Sequence, residues 1–146
     1  MEVNANTHKI VAVINKNLEH GVALNAIAHM SLGLAARAAK ERPQALEEMQ
    51  FLNFQDKDGG DHAFISALSL IVLRGKSSEI QKLRQNLQAA DLLYVDFTHQ
   101  MTSETYVEQL ERSRNTSEAD LEYYGVCAFG AKSKLELLTK KFSLWR

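Results

Sequence analysis

Residues His8-Lys-Ile-Val-Ala-Val-Ile-Asn15 and, after a short polar turn, Gly21-Val-Ala-Leu-Asn-Ala-Ile-Ala-His29 decide the fold class. Ile10–Ile14 is an unbroken apolar run rich in β-branched residues, the pattern of a strand covered on both faces. Asn15–Gly21 is turn-like. A helix is expected from about Val22 to Lys40, closing before Pro43, because the residue preceding a proline avoids helical geometry. A buried strand feeding an apolar helix opens a βα unit. The helix is apolar around most of its circumference. Its polar positions, Asn25, His29 and Arg37 with Gly33 between, are spaced by four and share one ridge.

Working outward, Leu70–Leu73, Leu92–Phe97 and Tyr124–Phe129 read as further buried strands. Helices are expected from Ser77, over Ser103–Arg112 with Thr102 or Ser103 as cap, and over Ala131–Thr139. Met49–Phe54 alternates weakly, as an edge strand would, and Asp56–Asp61 is a loop dense in aspartate and glycine. Lys141–Trp145 alternates polar and apolar and is expected to dock on the domain, its aromatic residues completing the core. Residues 1–7 are polar and read as a flexible tail. With no internal repeat or composition break, residues 8–146 form a single domain. The alternation of strands and helices implies an α/β fold: a mixed, mostly parallel sheet flanked by helices on both faces.

The chain has 146 residues, 45% hydrophobic and 24% charged, with a formal net charge of -1. That balance does not favour strong sequence-independent binding to nucleic acid. Charge is nevertheless segregated. Residues 103–122 are acidic, whereas Lys132, Lys134, Lys140, Lys141 and Arg146 make the end basic. Solvated helix faces explain this as well as a polyanion partner would. The single cysteine, Cys127, excludes an internal disulfide, and its apolar neighbours suggest an inert thiol. The most apolar long window, Gly21–Ala39, carries Asn25, His29 and Arg37, so no membrane span is expected and the cytoplasm is the expected location.

Several chemistries lack their motif. There is no dinucleotide glycine fingerprint, phosphate loop or nucleophile elbow, and His8, His20, His29, His62 and His99 do not form a two-histidine metal spacing. Asp56-Lys-Asp-Gly-Gly-Asp61 resembles a calcium loop but has no glycine at its sixth position, and Ala67 stands where the closing glutamate belongs. No metal and no cofactor are expected. What remains is a constellation. Gly21 precedes a helix start whose free N–H groups and dipole can hold an anion, and Asn25 and His29 lie one turn apart beyond it. Asp96 ends a buried strand, where α/β sheets place functional groups, and Thr98 and Gln100 follow it. Each also has a structural reading: Asn25 and His29 bonded to neighbouring loops, Thr98 capping the next helix.

The run His8–Leu18 with Gly21–His29, then Asp96-Phe-Thr-His-Gln-Met101 and Gly125-Val-Cys-Ala-Phe-Gly130, resembles type II peptidyl-tRNA hydrolases. It is more similar still to an uncharacterised domain-of-unknown-function branch of that superfamily, on Gly59-Gly-Asp-His62, Ile65-Ser66, Tyr123–Val126 and Leu138–Trp145. The resemblance implies a four-stranded mixed sheet, commonly in a homodimer, with Asp96 and His29 at functional positions and Thr98 near the position of the hydrolases' threonine. The expected ligand contacts are Gly21, Val22, Asn25, His62 and Gln100. Val22 occupies the place of the hydrolases' catalytic lysine, and Ala26 that of their glutamine. Valine cannot donate a hydrogen bond to a developing oxyanion.

Three functions follow, in this order. The first is a binding or regulatory domain for an unknown small ligand or tRNA-like substrate. The second is a hydrolase of an ester or amide, with His29 as base and Asp96 orienting it or a water. The third is an RNA-binding protein acting through its basic end.

Overall fold

The computed structural model describes residues 2–146; Met1 lies outside them. Strand β1 (His8–Asn15) leads into the long helix α1 (His20–Glu41) and the short α2 (Pro43–Glu48). A hairpin, β2 (Phe51–Gln55) and β3 (Asp61–Ser66), precedes β4 (Leu70–Gly75) and α3 (Ser77–Ala89). Then come β5 (Leu93–Thr98), α4 (Tyr106–Arg114), β6 (Tyr123–Ala131), α5 (Lys132–Thr139) and β7 (Ser143–Leu144). The N-terminal stretch makes backbone hydrogen bonds to itself and to the start of α5. Thr7 and His8 donate to the Asn4 carbonyl at 3.0 and 2.9 Å, and Lys132 N–H reaches the Thr7 carbonyl at 2.8 Å.

The main sheet has five strands in the order β5-β6-β1-β4-β7. Only β1 and β4 run parallel; β6 pairs antiparallel with both β1 and β5, and β7 antiparallel with β4. The expectation of a mostly parallel, four-stranded sheet is therefore corrected. It assumed that each intervening helix crosses back over the sheet. Helix α4 buries no residue, so it covers no strand, and the β5–β6 connection is an excursion between antiparallel neighbours. The fifth strand comes from the C-terminal segment, where Trp145 N–H continues the ladder to the Val72 carbonyl at 2.9 Å. The weak strand at Met49–Phe54 belongs to a separate two-stranded hairpin.

Helices cover both faces, unequally. Ala23, Ala26, Met30, Leu34 and Ala38 of α1, spaced by three and four, pack on Ile10, Ala12 and Ile14 of β1 and on Phe97, Cys127 and Phe129. The opposite face holds Ile80, Leu83 and Leu87 of α3 and Leu135 of α5 against Val11, Val13, Val126 and Ala128. Space is tight at Gly125, between α1 and the neighbouring strand. A Cβ there would stand 2.7 Å from Met30 Cε and 3.0 Å from the Val13 carbonyl oxygen. The chain thus has two cores, one on each side of β1 and β6. Cys127 is fully buried in one of them, and burial pushes its thiol up to about 12, so it is an inert core residue.

A helix is about 10 Å across and strands are about 4.8 Å apart, so one helix shields roughly two strands. Helix α1 packs on β5, β6 and β1 and leaves the same face of β4 and β7 without a helix. Among the described residues α1 is the one helix long and apolar enough to cross a membrane, yet here it seats its small-residue face on the sheet.

Candidate functional site

The uncovered strip beside α1 holds two apolar hollows with no lining residue in common, which together form a broken trough. Its upper part, about 560 Å³, lies at the start of α1 between Ala23, Leu24 and Ile27 on one side and Ile14, Val72 and Trp145 on the other. Its lower part, about 310 Å³, follows along the same flank of α1 at Ser31, Leu34 and Ala35, over Ile10, Leu70 and Cys127, with Phe51 and Phe64 of the hairpin beside it. The trough begins where β1 and β4 end. The helices that follow these parallel neighbours, α1 and α3, depart to opposite faces, which is where open α/β sheets form a ligand crevice. His20 and Arg146 border the upper mouth, and the His20 ring lies 6.3 Å from that of Trp145. Glu19 caps α1 without any side-chain bond to its first N–H groups. The turn into α1 is held by Asn15, a residue that sequence reasoning passed over. Buried at the end of β1, it donates to the Tyr123 carbonyl at 3.0 Å and accepts from Asn17 N–H at 3.0 Å.

The residues singled out from the sequence separate into several places. Gly21 is exposed, with nothing near the position of a Cβ, and Val22 is 38% exposed; neither lines the trough. Asn25 and His29 lie on the far flank of the helix. The His29 ring stacks on Phe97 at 5.4 Å and 8°, Gly33 faces Val95, and Arg37 donates to the Tyr94 carbonyl at 2.6 Å. The four-spaced polar ridge therefore runs along the edge strand β5 and serves packing. Phe97 in turn contacts Tyr124, whose hydroxyl lies 2.9 Å from His99 Nδ1.

Asp96 and His29 do not meet. Side chains alternate across a strand, so Phe97 faces α1 while Asp96 and Thr98 face α3. Asp96 accepts from Arg84 Nε at 2.7 Å, and Arg84 also reaches Glu118 at 3.3 Å. The sheet itself stands between the acid and base of the expected hydrolytic pair. Burial alone would lower the Arg84 guanidinium, but the hydrogen bond and charge of Asp96 more than offset it and hold it raised. Thr98 is buried and caps no helix: the following turn makes no bond to its side chain. Gln100 is a loop brace. Its side-chain oxygen accepts from Glu122 N–H at 3.4 Å, and its carbonyl accepts from Arg112 at 3.3 Å. His62 lies out on the hairpin, 2.9 Å from Asp56. That bond, with backbone donors from Gly60 and Asp58, holds the Asp56 carboxyl below its ordinary range and closes the turn once compared with a calcium loop. No group of three metal-ligating side chains occurs among the described residues.

A family model described as "Protein of unknown function (DUF2000)" matches residues 8–146. The chain belongs to this family. A solved structure of a protein of unknown function from Agrobacterium tumefaciens strain C58 superposes with a TM-score of 0.78 at 17% identity, covering 95% of this chain and 98% of that one. The likeness establishes the mixed α/β fold with its mostly antiparallel five-stranded sheet. No curated protein matches the chain. The family and its structural neighbour thus give the scaffold without an activity. The resemblance to peptidyl-tRNA hydrolases finds no support in these comparisons. Any function must be argued from the two faces of the sheet.

Proposed function

We propose that this domain binds an anionic amphiphile, an elongated apolar molecule with a carboxylate head, in the trough between α1 and β4. The observation carrying the proposal is the coincidence of an apolar trough with the Arg146 guanidinium at its mouth. The two hollows lie at Ile14 and at Ile10 of β1, roughly 13 Å apart at strand rise, and an alkyl chain that fills both would pass over Ala12. Its mouth is bordered by His20 and Arg146. Apolar burial supplies the affinity, at about 25 cal/mol per Å², and the charged end supplies orientation.

This reading takes the chain as a binding or regulatory relative of the peptidyl-tRNA hydrolase scaffold in which the helix start keeps a ligand and loses the reaction. Val22 offers no donor there, His29 is stacked on Phe97, and Asp96 is paired with Arg84 across the sheet. The chain has one tryptophan, and it lines the trough. Titration with decanoate below its micelle concentration is expected to change Trp145 emission saturably. Ile27→Glu is expected to weaken the response at least tenfold while preserving the far-ultraviolet spectrum. Decyltrimethylammonium, of opposite charge, is expected to bind more weakly. No saturable response, or an equal response to the cation, would remove the proposal.

A second copy of the chain is a compatible partner, on the hairpin that borders the lower part of the trough. Every residue of the hairpin except Ser66 is exposed, including Phe51, Leu52, Phe54, Phe64 and Ile65, and Leu32 on α1 is 74% exposed. An isolated two-stranded hairpin is marginal, and a projecting apolar patch marks an interface. We propose a homodimer through this patch. Light scattering at micromolar concentration should give the dimer mass, and Phe54→Asp with Phe64→Asp should give a monomer. A monomeric wild type contradicts it.

A further inference from the structure

The charge segregation of the sequence acquires a geometry in the fold. Residues 103–122 carry six carboxylates against Arg112 and Arg114, whereas residues 132–146 carry Lys132, Lys134, Lys140, Lys141 and Arg146 against Glu136. Their side chains thus give the two segments equal and opposite net charge. The whole chain stands at -1, so little long-range repulsion keeps two copies apart. Each segment also folds around a helix that shows leucine to solvent. On α4, which buries no residue, Tyr106, Val107 and Leu110 adjoin at helical spacing beside the exposed Glu111, and Leu110 is 60% exposed. On α5, Leu137 is 66% exposed, between Lys134 on one side and Lys140 and Lys141 on the other, all three exposed. Among the described residues, neither Glu111 nor these three lysines make an ion pair.

The two surfaces do not meet within one molecule. Helix α4 packs against the turn at His99–Met101 and precedes β6, whereas α5 follows β6 and packs on α3, β1 and β6. The nine residues of β6 put roughly 30 Å of strand between them. Yet they match: apolar side chains beside acid on one, a leucine framed by lysines on the other. We propose that α4 of one molecule docks on α5 of a second copy, head to tail, with Leu110 against Leu137 and Glu111 among Lys134, Lys140 and Lys141. Because the two surfaces differ, the contact is heterologous and propagates into a ring or a chain. It is separate from the hairpin patch and weaker. Helices of nine and eight residues, about 13 and 12 Å long, bury less than the roughly 1,200 Å² of a stable interface. The contact therefore forms at submillimolar concentration and low salt, above the range in which the hairpin dimer is expected.

The test is sedimentation of the full chain carrying Phe54→Asp and Phe64→Asp, which removes the hairpin patch and keeps the two contacts distinguishable. Its average mass is expected to rise with concentration at low ionic strength and to return to that of one molecule in high salt. On that background Leu110→Asn or Leu137→Asn, each at an exposed position that spares the fold, should weaken association about tenfold. An equimolar mixture of these two variants should recover it as a species of two molecules, because the intact α4 of one meets the intact α5 of the other. A contact of α4 with α4 would instead leave the Leu137→Asn variant associated, and mixing would restore nothing. That result, a mass that stays monomeric at every concentration, or association indifferent to both substitutions would overturn the proposal.

Discussion

The two faces of one sheet have been finished differently. On the α3 side, α3 and α5 with Phe142 cover the strands, and the site left at the end of β5 is polar and ion-paired. On the α1 side a single helix rich in alanine covers the β5-β6-β1 half, and the strip over β4 is apolar and open. The difference follows from helix width and side-chain size rather than from any motif. Alanines let α1 sit close to the sheet, with Ala23, Ala26 and Ala38 buried against it, but such a helix does not reach across to β4. The same geometry that isolates Asp96 from His29 creates two separate cavities of opposite character.

The comparison can be broken by substitution. If both cores are sealed, Met30→Ala on one face and Leu83→Ala on the other should each lower unfolding free energy by about 3 kcal/mol in urea denaturation. A loss under 1 kcal/mol for Met30 alone would mean that α1 does not close its half of the sheet. Arg84→Ala leaves Asp96, whose side chain is 16% exposed, without its guanidinium. A loss of about 2 kcal/mol is expected, between the values for exposed and buried pairs. Thr98→Val removes the orphaned hydroxyl at nearly constant shape and should raise stability by about 1 kcal/mol, visible as a higher denaturation midpoint. A drop instead would show that Thr98 is already satisfied. His29→Ala should cost under about 1 kcal/mol, the worth of one exposed ring stack, and leave decanoate binding unchanged. Loss of that binding would return His29 to the site.

The sequence announces β1, α1, β4, α3, β5, β6 and α5 because each carries a buried apolar period. It does not announce β3. Asp61-His-Ala-Phe-Ile-Ser buries none of its side chains fully, so no alternation marks it. Nor does it announce β7, two residues whose pairing is wholly long-range. Strand order escaped for the same reason, since periodicity says that a segment is buried but not beside which neighbour. At the site, a helix start after a buried strand was legible as a place for a ligand. Which flank of α1 would meet it was not. The ridge Asn25–His29–Arg37 is more conspicuous in sequence than Ala23, Leu24 and Ile27, yet it belongs to the packing against β5. Alternation of Asp96, Phe97 and Thr98 was readable; the side on which α1 docks was the missing fact. The unpartnered Thr98 hydroxyl is invisible until the side chains are placed.

The central claim is that the open half of the α1 face holds an alkyl chain with its charged end at the start of α1. Intermolecular nuclear Overhauser effects between decanoate and a methyl-labelled protein test it most directly. The account predicts contacts from the chain to Leu24, Ile27 and Val72, with the carboxylate end nearest His20. Contacts confined to Leu52 and Phe54 of the hairpin, or none at saturating decanoate, would contradict it.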